Sequence, residues 1–162
     1  MDPMQSLALA GFLALCFLAA STGAFFRPDE WYRALEKPSW NPPDWVFPPA
    51  WTILYLFIGI SAWLVWRAAG FAGAGGALLV WLISLGLNAA WSWLFFGRKR
   101  IDWAAYGVAG LWLSILVTIL AFAPHSTTGA WLLVPYLAWV SFAAALTFAI
   151  WRRNRGAVPA GV

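Results

Sequence analysis

Charge is what this chain has least of. Asp, Glu, Lys and Arg make up 10% of its 162 residues, against about a quarter in soluble globular proteins. Cysteine occurs once, as Cys16, so an intramolecular disulfide is impossible and no redox compartment follows. Histidine also occurs once, as His125 beside Pro124, which leaves no His/Cys cluster of the kind that holds zinc or an iron–sulfur centre. The six acids, Asp2, Asp29, Glu30, Glu36, Asp44 and Asp102, lie in loops or at the ends of apolar runs, and no Lys, Arg or His lies within a run. Proton relays and ion paths in membranes use intramembrane ionisable groups. Their absence argues against an ion-coupled pump, a cation channel and general acid–base catalysis inside a bundle. The glycine-rich stretch 70–76 lacks the Lys-Ser/Thr of a phosphate loop and reads as a small flexible linker.

What is present is apolar: 63% of residues are hydrophobic, 14 are tryptophan, and the mean hydropathy is +0.74. Five runs stand out, Gln5–Phe26, Pro49–Trp66, Ala77–Gly97, Trp103–Ala123 and Ala130–Trp151. Each is long enough to cross a bilayer, which takes about 20 apolar residues. Backbone groups in lipid must be satisfied within the segment, so each run should be a helix. The expectation is an all-α membrane protein, one domain over residues 1–162, built as a five-transmembrane-helix bundle. The first run follows Asp2 without the basic residues of a secretory signal and is read as a retained helix. The small pair Ala20-Ser21 leaves cleavage open.

Five spans put the first loop, the third loop and the C-terminal tail on one side. That side carries Arg27, Arg33, Lys37, Arg98, Lys99, Arg100, Arg152, Arg153 and Arg155, and the other carries only Arg67. The positive-inside rule then makes the first loop and the C-terminus cytoplasmic. The net charge of +4 is accounted for by these span ends and points to membrane lipids, with no case for nucleic acid.

The first loop, residues 27–48, is the one long segment that is not lipid-like. Its stretch from Trp31 to Pro43 holds Trp31, Tyr32, Pro38, Trp40, Pro42 and Pro43. Proline fixes φ and restricts its predecessor, so the loop is stiff. It reads either as a lid over a binding site or as an interfacial aromatic belt. In the third run Asn88, Trp91 and Phe95 share a helix face. A mid-span amide such as Asn88 must be bonded, to another helix or to a ligand. In the fifth run Trp139 and Ala143 are one turn apart, with Leu146 on the same face and Pro135 positioned to bend the helix. Trp51 and Tyr55 form a similar pair just after the loop. Aromatic stripes on three helices beneath an aromatic loop predict a shared pocket for a large, flat, mostly apolar ligand. Gly86 and Ala90 form a small-xxx-small pair, which suits either a dimer seam or an intramolecular contact.

These residues together resemble the translocator protein family, also called tryptophan-rich sensory proteins or peripheral-type benzodiazepine receptors, in its bacterial form. The likeness runs nearly end to end. It rests on Trp31-Tyr32, Leu35, Lys37-Pro38, Trp40, Pro42-Pro43, Trp51 through Tyr55, Asn88, Trp91, Phe95-Phe96-Gly97, Trp103, Pro135-Tyr136-Leu137-Ala138-Trp139 and Phe142-Ala143. The resemblance implies a homodimeric five-helix receptor or sensor whose ligands are protoporphyrin IX or related tetrapyrroles, sterols and benzodiazepine-site compounds, with no obligatory cofactor and no metal. Carried over by motif, the ligand-binding residues are Trp40, Phe47, Trp51, Tyr55, Asn88, Trp91, Trp103, Trp139, Ala143 and Leu146. Trp51 and Trp139 match tryptophans tied to light- and oxygen-dependent porphyrin breakdown, so a porphyrin-degrading enzyme is one alternative. A passive porphyrin or sterol transporter is another. Arg27, Arg33 and Lys37 are the cations nearest to a porphyrin's propionates. The family's cholesterol pattern is broken here, because Phe148 stands where its tyrosine would be. Inner and outer bacterial membrane both stay open.

Overall fold

The computed structural model describes residues 2–25 and 28–156. The chain forms helices α1 (Pro3–Phe25), α2 (Glu30–Ala34), α3 (Phe47–Ser92), α4 (Ile101–Phe122), α5 (Thr127–Leu132) and α6 (Val134–Asn154). A 3-10 turn at Asp44–Val46 leads into α3, and a π turn at Trp93–Gly97 leads out of it. No strand occurs among the described residues. Four helical stretches are long and apolar enough to cross a membrane: Pro3–Phe25, Asp44–Gly97, Ile101–Phe122 and Thr127–Asn154.

The second stretch spans 54 residues. Straight, it would extend roughly 80 Å, far beyond a hydrocarbon core of about 30 Å. It is not straight. Gly70 has φ 63° and ψ −175°, a backbone state that a side chain would strain. The arm before it (47–69) folds back against the arm after it (71–92). The Trp81 indole Nε1 donates to the Ile58 carbonyl at 3.2 Å, and the Tyr55 hydroxyl donates to Asn88 Oδ1 at 2.9 Å. The expected linker over 70–76 is therefore corrected: only Gly70 leaves the helix. Ala74 and Ala77 are buried within the bundle, and that burial offsets the poor helix propensity of Gly73, Gly75 and Gly76.

The last run also differs from expectation. It begins at Thr127 and is interrupted at Leu133, because Pro135 in the first turn of α6 has no N–H to continue the ladder from α5. Ser126 caps α5, its Oγ accepting from the Gly129 N–H at 3.0 Å. Ser61 Oγ of α3 donates to the Gly129 carbonyl at 2.8 Å. A Cβ at Gly129 would sit 3.1 Å from the Ser61 carbonyl, so glycine permits this close approach. α1 packs on α3, α3 on α4, and α4 on α6. The Trp112 indole of α4 donates to Ser141 Oγ of α6 at 2.8 Å.

The two ends of the bundle differ. At one end, Lys99 pairs with Asp29 at 2.8 Å and ties the 98–100 connection to the first loop. Asp29 also caps α2, accepting from the Tyr32 N–H at 3.1 Å. The Lys99 ammonium holds the Asp29 carboxyl below the usual carboxylate range. Asn154, the last residue of α6, is buried and clasps the loop from below. Its Oδ1 accepts from the Glu36 N–H at 3.1 Å, and its Nδ2 donates to the Glu36 carbonyl at 3.0 Å. At the other end lie the start of α1, held by the Trp63 indole on the Gln5 carbonyl at 3.1 Å, the Gly70 reversal and the connection into α5. The loop, the 98–100 connection and the α6 terminus thus share one end, as the charge pattern requires.

One buried amide satisfying both backbone groups of Glu36 makes Asn154 the clasp of the loop. Asn154→Leu keeps the volume and removes both bonds, at a cost of about 1–3 kcal/mol borne locally. Amide hydrogen exchange over residues 35–41 should accelerate by roughly tenfold to a hundredfold, with the long helices unchanged. Unaltered exchange in the loop would show that other contacts hold it.

Candidate functional site beneath the aromatic loop

The arms of α3 and helix α6 each contribute an aromatic stripe, and folding brings the stripes together. Trp51 of the first arm lies between Tyr55 (5.6 Å between ring centroids), Tyr136 (6.2 Å) and Trp139 (6.4 Å). Trp139 also meets Phe47 at 5.9 Å and Phe142 at 5.6 Å. Phe142 in turn meets Trp40 of the loop at 5.8 Å. On the second arm, Trp91 packs on Phe95 at 5.7 Å, and Phe95 and Phe96 receive Tyr32 at 6.0 and 5.5 Å. Trp31 closes on Phe95 at 6.1 Å. These separations fall in the favourable edge-to-face and tilted range. Leu146 and Ile150 lie within the same cluster as Tyr32 and Phe95, with Phe47, Trp91 and Phe142 packed against it.

Asn88 joins the stripes from beneath. Its Oδ1 accepts from Tyr55, and its Nδ2 donates to the Tyr136 hydroxyl at 2.6 Å. The Asn88 amide is therefore a helix-to-helix bond across both arms and α6. In the loop, burial and the nearby Asp44 carboxylate push the Tyr32 hydroxyl up to about 12, so the loop's buried phenol stays neutral at any physiological pH.

Three buried side-chain polar atoms have no hydrogen-bond partner among the described residues: Asn41 Oδ1, Trp91 Nε1 and Trp139 Nε1. All three belong to the loop or to the aromatic layer under it. Buried polar groups are normally paired, so this clustering calls for an explanation.

The expected site residues divide accordingly. Trp40, Phe47, Trp51, Tyr55 and Trp139 share the ring contacts of α3, α6 and the loop, while Asn88 bridges beneath them and Trp91 sits with Phe95. Ala143 and Leu146 are buried on α6. Trp103 stands apart, 57% exposed on the outer side of α4. Gly86 is exposed with nothing within 4 Å of an added Cβ, and Ala90 is half-buried. Of the three cations, Arg33 is exposed. Lys37 donates to the Arg33 and Leu35 carbonyls at 3.2 Å each and lies 4.6 Å above the Tyr32 ring. Arg27 lies outside the described residues. Tyr136, Phe142 and Asn154 were not singled out as site residues by sequence. The signal for Tyr136 and Phe142 was available, since both flank Trp139 at helical spacing. Asn154 showed none, because its partner is 118 residues away.

The chain matches the TspO/MBR family over residues 12–152. It is 44% identical over 143 residues to a tryptophan-rich sensory protein of Cereibacter sphaeroides, covering 88% of this chain and 89% of that one. It is 38% identical over 154 residues to the protein CrtK of Rhodobacter capsulatus, covering 93% and 94%. With the human translocator protein it shares 36% identity over 151 residues, covering 90% and 89%. Matches of this extent, on a chain with four long apolar helical stretches, make it an integral membrane protein that belongs to the TspO/MBR family.

Proposed function

We propose that this chain is a membrane receptor that binds a large, flat tetrapyrrole of the protoporphyrin type beneath its aromatic loop. The observation that carries the reading is the set of orphaned polar atoms at the layer. A buried donor without a partner costs about 1–3 kcal/mol, and a ligand with inward-facing acceptors would relieve that cost at Trp91 and Trp139. A porphyrin suits such a site because its faces stack on rings and its π system can accept from an indole N–H. Relatives bear the names tryptophan-rich sensory protein and translocator protein, which suit a receptor.

The arms of α3 are each long enough to cross once, roughly 33 Å by helical rise, so we count five crossings. Eight cations, Arg33, Lys37, Arg98, Lys99, Arg100, Arg152, Arg153 and Arg155, belong to the loop end and Arg67 to the other, which favours a cytoplasmic loop and C-terminus. A second reading, light- and oxygen-dependent porphyrin breakdown, draws on the edge-on approach of Trp51 to Trp139. Illumination with and without oxygen separates the two: a receptor leaves the porphyrin spectrum intact, whereas an enzyme consumes it with turnover. Gly86, exposed with open space over it, and half-buried Ala90 leave room on the second arm for close approach of a second copy, the homodimer seam of this reading.

Quenching of tryptophan fluorescence by protoporphyrin tests the site. Ala143→Leu overpacks the buried face one turn beyond Trp139, where extra methylenes typically cost about 1–3 kcal/mol. Affinity should fall on the order of tenfold with the bundle intact. Unchanged quenching removes Ala143 from the site.

A porphyrin's two carboxylates cannot be buried unpaired without large cost, and Arg33 and Lys37 are the described cations of the loop. Neutralising both to Gln should weaken the free acid more than the dimethyl ester, with added salt narrowing the gap. Equal weakening of acid and ester would show that the loop acts by shape alone.

Gly86→Leu should convert a detergent-solubilised dimer to monomer, as measured by light scattering. A mass that stays dimeric moves the seam elsewhere.

A further inference from the structure

We infer that the loop end of α6 carries a binding site for the phosphate headgroup of an anionic phospholipid, distinct from the aromatic layer. A cleft of about 350 Å³ opens there, lined by Ala149, Arg152 and Arg153. Both arginines are exposed, and neither takes part in an ion pair among the described residues. Of the acids at this end, Asp29 holds Lys99 and Asp102 holds Arg100, while Glu36, whose backbone is bonded to Asn154, takes part in no ion pair among the described residues. Two guanidiniums on one helical turn can each present paired N–H donors to phosphate oxygens.

The surroundings place the cleft at headgroup depth. Arg155 stacks 4.2 Å from the Trp151 ring. Trp151 meets Phe148 at 6.2 Å and Tyr106 of α4 at 6.1 Å. Tyr106 is 68% exposed and Phe148 37%. Exposed aromatic rings at a span end mark the membrane–water interface. Below the arginines, Ala149 leaves room and Phe148 offers apolar surface, so an acyl chain can follow the headgroup. A soluble anion would gain nothing from that apolar surface. Arginines in the last turn also complement the helix dipole, but that role needs neither a cleft nor a lipid.

The test is thermal stability of the full chain in non-ionic detergent at low salt, titrated with dioleoylphosphatidylglycerol, dioleoylphosphatidylcholine or glycerol phosphate. The phosphatidylglycerol should raise the melting temperature saturably, and the other two should not. An equal response to phosphatidylcholine, or to glycerol phosphate, overturns the lipid site. In the Arg152→Gln/Arg153→Gln double variant the concentration for half-maximal stabilisation should rise roughly thirtyfold, the magnitude expected of two basic residues at a lipid surface. The Arg67→Gln/Arg98→Gln variant removes the same charge away from the cleft and should shift it less than about threefold. Equal losses in the two variants would reduce the effect to net charge and sink the proposal. Should the arginine variant fail to fold, Ala149→Leu decides. It narrows the cleft at its floor and keeps both charges, and it should weaken the phosphatidylglycerol response at least about tenfold. Full retention of the response in that variant overturns the site.

Discussion

The hydrogen-bonded relay of Tyr55, Asn88 and Tyr136 is the constraint on which the rest of the interior depends. Away from water, an unpaired amide is costly, while each helix-to-helix bond is worth only about 0.6–2 kcal/mol. The asymmetry means that the relay specifies more than it stabilises. Any rotation of either α3 arm or of α6 that breaks it exposes a full desolvation penalty. The relay therefore sets the register of three helical segments at once, and with it the position of Trp51, which packs on both tyrosines.

Above that relay the aromatic layer is held from two directions. The π turn at Trp93–Gly97 turns Phe95 and Phe96 toward Tyr32, and α6 presents Trp139 and Phe142 toward Phe47 and Trp40. The loop has little helix of its own and takes its shape from these contacts, from Asp29 at one side and from Asn154 below. Lys99 takes a left-handed backbone, φ 55°, beside its ion pair with Asp29. An ordinary side chain there costs on the order of 1 kcal/mol, a cost met by the turn that closes α3 onto α4.

The relay bonds its amide to both phenols, whereas the layer keeps unpaired donors on Trp91 and Trp139. In the receptor we propose, these free indoles are the donors that the π face of a bound ring would meet. Among the described residues, the buried polar side chains are Ser, Thr and Asn, with no Asp, Glu, Lys or Arg.

Composition and short-range spacing were enough to determine the membrane class, the apolar runs, the cationic end, the aromatic character of the loop, and the stripes holding Trp51, Tyr55, Trp139 and Ala143. These are properties of neighbouring residues, and helical periodicity reads them directly. Asn88 was legible as a costly amide but not as the bridge between Tyr55 and Tyr136, because its partners lie 33 and 48 residues away. The helical continuation through 71–76 was hidden by glycines whose propensity argued for a linker, until burial of Ala74 and Ala77 outweighed it. Trp103 shares its residue type with Trp51 and Trp139 but faces outward, a difference decided by which side of α4 meets its neighbours. Sequence determines what each helix can bury. Which faces meet, and so which tryptophans gather under the loop, is decided only when the helices pack, because that choice depends on contacts between segments with no local signal.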